Sequence, residues 1–190
     1  MKRAEQKEKR RQEILNAGLD LFIRKGYSAT RTAEIADAVG MSEGLLFHYF
    51  ETKEKLYLTL LQIAAEGKDK IFELKDEAPL SFFEHTAETI LNYITKEPFA
   101  AKLFVLMNRA QYNEALSAQA CNFLMRQKDI EYSVNVIMQG QKDGSIRSGN
   151  PLALATAFFM AIQGIAENIA RNPEMPAPSP EWIVDIVRSK

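Results

Sequence analysis

At 190 residues, the chain is long enough for one large domain, or for a small domain and a medium one, and it can bury roughly 70% of its unfolded surface. A formal net charge of −1 rules out a protein that is basic all over, and the single cysteine, Cys121, rules out an intrachain disulfide framework or a cysteine-based metal site. One cysteine and a charged N-terminus without an apolar core fit the cytoplasm rather than a secreted product.

The charge is uneven. Residues 1–57 carry 11 Lys+Arg against 9 Asp+Glu, whereas residues 58–190 carry 13 against 16. Six bases fall in the first 13 residues: Lys2, Arg3, Lys7, Lys9, Arg10 and Arg11. A basic arm ahead of a helical motif can gather phosphates, although a solvated terminus has the same composition.

The first helix is expected over residues 5–25, with Ile14, Leu15, Ala17, Gly18, Leu21 and Phe22 on its apolar face. Gly26 stops it after Arg24 and Lys25. A short second helix over Arg31–Val39, with Thr30 as its N-cap, turns Ile35, Ala36 and Val39 inward. Gly40 ends it at positive φ, Met41 plugs the turn, and Ser42 caps a third helix with Glu43 in its first turn. Leu46 and Phe50 are its inward anchors. Ser42, Glu43, Gly44, Leu45, Phe47, His48 and Tyr49 are left outside, too apolar a face for a helix that meets only water.

Gly26-Tyr27, Thr30, Ile35-Ala36, Val39-Gly40-Met41-Ser42, Gly44, Leu46-Phe47, Tyr49-Phe50, Lys53-Glu54 and Leu56 resemble the DNA-binding region of the tetracycline-repressor (TetR) family. The resemblance covers about residues 8–60. One departure is Phe47, where that family usually has tyrosine, so a phosphate-reaching hydroxyl is missing. The resemblance implies that helix 3 enters the major groove and that a C-terminal helical part dimerises and holds a ligand.

Thr52 is expected to cap a fourth helix running to about Leu74, roughly 33 Å long and a mechanical link between two parts. After a break at 76–80, Ser81-Phe82-Phe83-Glu84 reads as a capping box that opens a fifth helix to Thr95. Pro98 opens a sixth, to Ala110. Asn113 caps a long seventh, to Gln141, with one stripe through Leu116, Phe123, Val134 and Ile137 and another through Cys121, Met125, Tyr132 and Val136. Asn150-Pro151 opens an eighth, to Ala170, apolar nearly all round. The seventh and eighth helices together suit a dimer interface. Four prolines from Pro173 to Pro180 make a spacer before a last helix over Glu181–Arg188. The apolar stretch Pro151–Ala166 is too short to span a membrane comfortably, so no membrane partner is expected.

No phosphate-cradling glycine loop, HExxH or GxSxG is present, so no enzyme and no cofactor are expected. His85 with Glu84 and Glu88 has metal-ligand spacing but reads as a surface cluster, and Cys121 reads as a small core residue. Aromatic and Met side chains of the fifth to eighth helices serve a core, or line a cavity for an apolar or aromatic effector.

The expectation is therefore all-α. A helix-turn-helix DNA-binding domain occupies residues 1–52, and a helical ligand-binding and dimerisation domain occupies 53–190. The chain would act in the cytoplasm as a ligand-responsive repressor, binding a palindromic double-stranded DNA operator as a homodimer. Base and phosphate contacts would come from Thr30, Arg31, Thr32, Ser42, Glu43, Gly44, Leu45, Phe47, His48, Tyr49 and Lys53. Ligand-binding residues are not legible. The rival is a helical module that holds protein with the aromatic face of its third helix.

Overall fold

The computed structural model describes residues 3–71, 78–110 and 128–190. Among these, regular structure is helical throughout, apart from one isolated antiparallel bridge between Ile146 and Arg188. The chain forms two compact units. The first holds residues 3–65 and 106–110 of those described; the second holds 66–71, 78–105 and 128–190.

In the first unit, α1 (Arg3–Lys25) turns Ile14, Leu15, Leu19 and Phe22 into the core. Gly26, at φ 81, stops it as expected. α2 (Thr32–Ala38) and α3 (Glu43–Tyr49) follow, joined by a tight turn. Met41 N donates to Ala36 O at 3.0 Å and Gly40 N to Asp37 O at 3.1 Å, with Gly40 at φ 65. This is the Schellman pattern, and the left-handed residue at its centre is why glycine stands there. α4 (Lys53–Ile71) opens with Lys55 N donating to Thr52 Oγ1 at 2.9 Å, the expected cap. Gly18 lets α1 and α4 meet closely: a Cβ built there would lie 2.9 Å from Leu56 Cδ2. Phe22, Tyr27 and Tyr57 close the other side as an aromatic trio with ring centroids 4.9–5.9 Å apart.

In the second unit, α5 (Pro79–Lys96) packs on α7 (Lys128–Asp143), on α8 (Pro151–Arg171) and on the short α9 (Pro180–Val184). α6 (Pro98–Ala110) begins at the expected proline. Asn150 Oδ1 accepts from Ala153 N at 3.0 Å and Pro151 follows, so α8 starts where the sequence placed it. Phe82, Phe83, Tyr132, Phe158 and Phe159 form a chain of edge-on rings. Phe82, Phe83 and Phe158 are buried, so these three are core.

Several expectations are corrected. α5 opens at Pro79, not Ser81: the proline's fixed φ starts the helix two residues before the serine can cap it. α9 ends at Val184, and the chain then turns into extended pairing, Arg147 N donating to Val187 O at 2.9 Å and Ser189 N to Ser145 O at 3.1 Å. The apolar residues Ile183, Val184 and Val187 are buried by this turn, not by a longer helix. α7 buries Ser133, Val136, Ile137 and Gly140 on one face and leaves Tyr132 and Met138 exposed. α8 ends at Arg171, within a residue of the expected end, and length and composition alone would let it cross a membrane, as they would the core helix of many proteins. The expected end of α4 at Leu74, the cap at Asn113 and the stripe residues Leu116, Cys121, Phe123 and Met125 lie outside the described residues.

Candidate nucleic-acid interface

The outer face of α3 follows from two buried anchors. Leu46 and Phe50 are four residues apart and both buried, so the opposite side of the helix must face out. Ser42 Oγ accepts from Leu45 N at 3.3 Å and caps the helix. With 3.6 residues per turn, Gly44 and His48 lie at the centre of the outer face. Leu45 (45% exposed) flanks them on one side and Phe47 (40%) on the other. A Cβ on Gly44 would meet open space, so nothing within the chain requires a glycine there. Glu43 is exposed, and Tyr49 is half-buried.

Neighbouring elements hold α3 in place. The Arg11 guanidinium lies 5.3 Å from the centre of the Phe50 ring, stacking α1 on the end of α3. The Thr32 hydroxyl donates to Glu43 Oε1, tying the start of α2 to the start of α3. Two residues expected to reach bases are therefore bonded to each other, and Glu43 keeps one oxygen for an outside donor. Arg31 is exposed at the N-cap of α2, its backbone N donating to Glu34 Oε2 at 3.2 Å.

Two residues expected to touch DNA have partners within the chain. Thr30 is 1% exposed, and its hydroxyl donates back to Gly26 O at 2.7 Å and Leu21 O at 3.3 Å. It locks the α1–α2 corner, neither capping α2 nor offering its side chain to DNA; a threonine hydroxyl serves backward carbonyls as readily as forward N–H groups. Lys53 Nζ donates to Tyr27 O at 2.8 Å and Thr30 O at 2.9 Å and sits 4.4 Å from the centre of the Tyr27 ring. Its ammonium pins α4 to the same corner, and burial holds its pKa below the usual lysine value. Burial, with a smaller contribution from Glu54, raises the Tyr27 phenol above its ordinary value.

A cleft of about 820 Å³ opens between the first turns of α1 and the outer face of α3. Arg3, Gln6, Lys7, Arg10 and Glu13 line it from α1 at helical spacing, joined by Lys9; Leu45, His48 and Tyr49 line it from α3. Arg10 pairs with Glu13 at 2.7 Å, whereas Arg3, Lys7 and Lys9 make no ion pair among the described residues. The basic arm is thus a helical stripe beside α3. Its charge was visible in the sequence, but its side was not, because that depends on how α1 crosses α3. Arg109, which no sequence pattern marked, donates from Nη1 to Ile23 O at 2.6 Å and satisfies a carbonyl in the last turn of α1.

A short helix ending in a glycine turn, a capped helix with an exposed outer face and a cationic flank define a helix-turn-helix DNA-binding protein. Residues 14–60 match the model of bacterial regulatory proteins, tetR family. The HTH-type transcriptional repressor KstR2 of Rhodococcus jostii is 27% identical over 166 residues, 79% of this chain and 74% of that protein. The HTH-type transcriptional regulator QacR of Staphylococcus aureus is 45% identical over 51 residues, 27% of each protein. Over the whole fold, the crystal structure of AibR in complex with isovaleryl coenzyme A and operator DNA superposes with a TM-score of 0.67. That match covers 93% of this chain and 94% of AibR at 18% identity.

Proposed function

We propose that this chain is a transcriptional repressor of the cytoplasm that acts by binding, without turnover. As a homodimer it grips a palindromic operator with two copies of α3 and releases it when a small apolar or aromatic effector binds. DNA reading belongs to residues 1–52, effector binding and dimerisation to 53–190. The observation that carries this is the exposed outer face of α3 beside a cleft lined by four cations and one carboxylate, Glu13. In the dimer the two α3 helices sit roughly 34–36 Å apart, one turn of DNA. The effector favours a dimer with the wrong spacing, and α4 carries that choice. AibR, with isovaleryl coenzyme A and operator DNA in one complex, supports the pairing of the two ligands; KstR2, named a repressor, supports the sign.

Within this reading the residues divide. Arg31, Thr32, Ser42, Glu43, Gly44, Leu45, Phe47 and His48 meet base edges or the groove wall. Tyr49 and the α1 cations Arg3, Lys7 and Arg10 hold phosphates. Sites selected from random DNA should be palindromic, and binding should weaken steeply with salt. Lys7→Ala with Arg10→Ala should lower affinity for every sequence and reduce the salt slope by about 0.9 for each phosphate no longer neutralised. Tyr49→Ala should lower affinity with the slope unchanged, because the phenol is neutral. A double variant Tyr49→Ala/Arg10→Ala with full operator affinity would contradict the reading.

A further inference from the structure

We infer that Leu45 and Phe47 recognise the C5-methyl groups of thymines in the operator half-site. This rests on the operator-binding reading above and specifies what its central helix reads. The side chains that pair two-to-one with guanine or adenine are Arg, Lys, Asn and Gln, and none occurs in α3, Glu43 to Tyr49. Glu43 accepts only, with one oxygen already taking the Thr32 hydroxyl. Gly44, at the centre of the outer face, has no side chain to read with and open space above it. What flanks that centre is apolar on both sides, Leu45 at 45% exposure and Phe47 at 40%.

The glycine lets the helix axis sink toward the groove floor, and the two apolar side chains then straddle it. Apart from the small C5–H of cytosine, the groups on the major-groove base edges are donors or acceptors, and the thymine methyl is the one sizeable apolar group. Pressed against a donor or acceptor, Leu45 or Phe47 would strip water from a polar group and return no hydrogen bond, and against a cytosine C5–H it would bury less apolar surface than against a methyl. Against a methyl, both partners bury apolar surface. Thymine placement on the two sides of α3 thus adds to half-site selectivity beside what Arg31 and His48 read by hydrogen bonds, and Phe47, lacking a hydroxyl, is suited to this contact.

The test uses the full-length protein and duplexes selected from a random-sequence pool. Fixed thymines should appear in each half-site. Deoxyuridine substituted for such a thymine removes the methyl and leaves every hydrogen-bonding group in place. Affinity should fall about fourfold for each buried methyl removed, and about fifteen-fold when both half-sites lack one. In a double-mutant cycle, Leu45→Ala should abolish the deoxyuridine penalty at one thymine and Phe47→Ala at another. Both positions are on the surface, so thermal unfolding should show the fold retained. Equal affinity for thymine and deoxyuridine duplexes, or a penalty that survives both substitutions, overturns the inference while leaving operator binding intact. Failure to retain any duplex from the pool overturns operator binding itself and this inference with it.

Discussion

Gly44 and Lys53 show how two residues of one motif separate when burial and partners are known. Both match the family resemblance, but for different reasons. Gly44 is a helical glycine with nothing within 4 Å of where a Cβ would sit. Alanine there should raise stability by about 0.5–1 kcal/mol, the usual gain from replacing glycine in a helix. If α3 packs its backbone into the groove, the same substitution should weaken operator binding. Thermal unfolding and an operator titration on Gly44→Ala check both halves; a stabilised protein that binds DNA as well as the parent would remove the reason for the glycine. Lys53 is the reverse case. Its ammonium is committed to two backbone carbonyls, so Lys53→Met should cost about 1–3 kcal/mol in urea denaturation, the half-exposed site favouring the lower end. A lysine that only touched phosphate would leave the unfolding curve where it was.

The joints between elements carry their own test. Glu34 on α2 accepts from Lys25 Nζ at 2.6 Å at the end of α1 and from the Arg31 backbone. The Lys25 hydrogen bond, then the Arg31 N–H, holds the Glu34 carboxyl below its ordinary value of 4.5. The unfolded chain therefore takes up that proton first as pH falls. The contribution to stability is present above pH 4.5 and is lost as pH drops through the lower folded value. Glu34→Gln should flatten this part of the acid limb, read as unfolding midpoint against pH; an unchanged limb would mean that the α1–α2 joint does not depend on the carboxylate. Elements were legible in the sequence where one residue admits one geometry, as with Gly40 at positive φ, Asn150 before Pro151, and Pro98. They were misplaced where two geometries compete for the same residues. Thr30 offered itself as a forward cap and bonds backward. Ser81 and Glu84 have capping-box spacing, but Pro79 fixes φ first, and Glu84 instead meets Arg188 at 3.2 Å. The spacing of Ile183, Val184 and Val187 fits a helix and a turn equally. The outer face of α3 could be read because burying Leu46 and Phe50 forces it. The Thr32–Glu43 tie, the Lys53 clamp and the α1 side of the cleft join residues 11, 23, 26 or more positions apart, which no local pattern contains.

For the molecule as a whole, the decisive surface is the outer side of α8. Ala155, Phe158, Ile162, Ala166 and Ile169 bury one face of this helix in the second unit. On the other, Leu152 is 56% exposed and Met160 51%, with Thr156 and Gly164 also exposed at the same four-residue spacing. So regular an apolar stripe needs a cover. A bilayer fits the helix length, but a helix with one face packed into protein offers lipid only a strip. A second copy of the same stripe is self-complementary about a two-fold axis, and its small residues, Thr156 and Gly164, let two helices approach. It also supplies the fixed spacing that a palindrome demands. Met160→Glu places a charge in the middle of the stripe without touching the buried face. It should halve the sedimenting mass while leaving the helical circular dichroism unchanged. Operator affinity should fall by about 100-fold or more, because each half-site is then bound without the effective concentration its partner supplied. Affinity for an isolated half-site should stay at the parent's value per site. A Met160→Glu protein that still sediments as a dimer would move the interface off this face of α8.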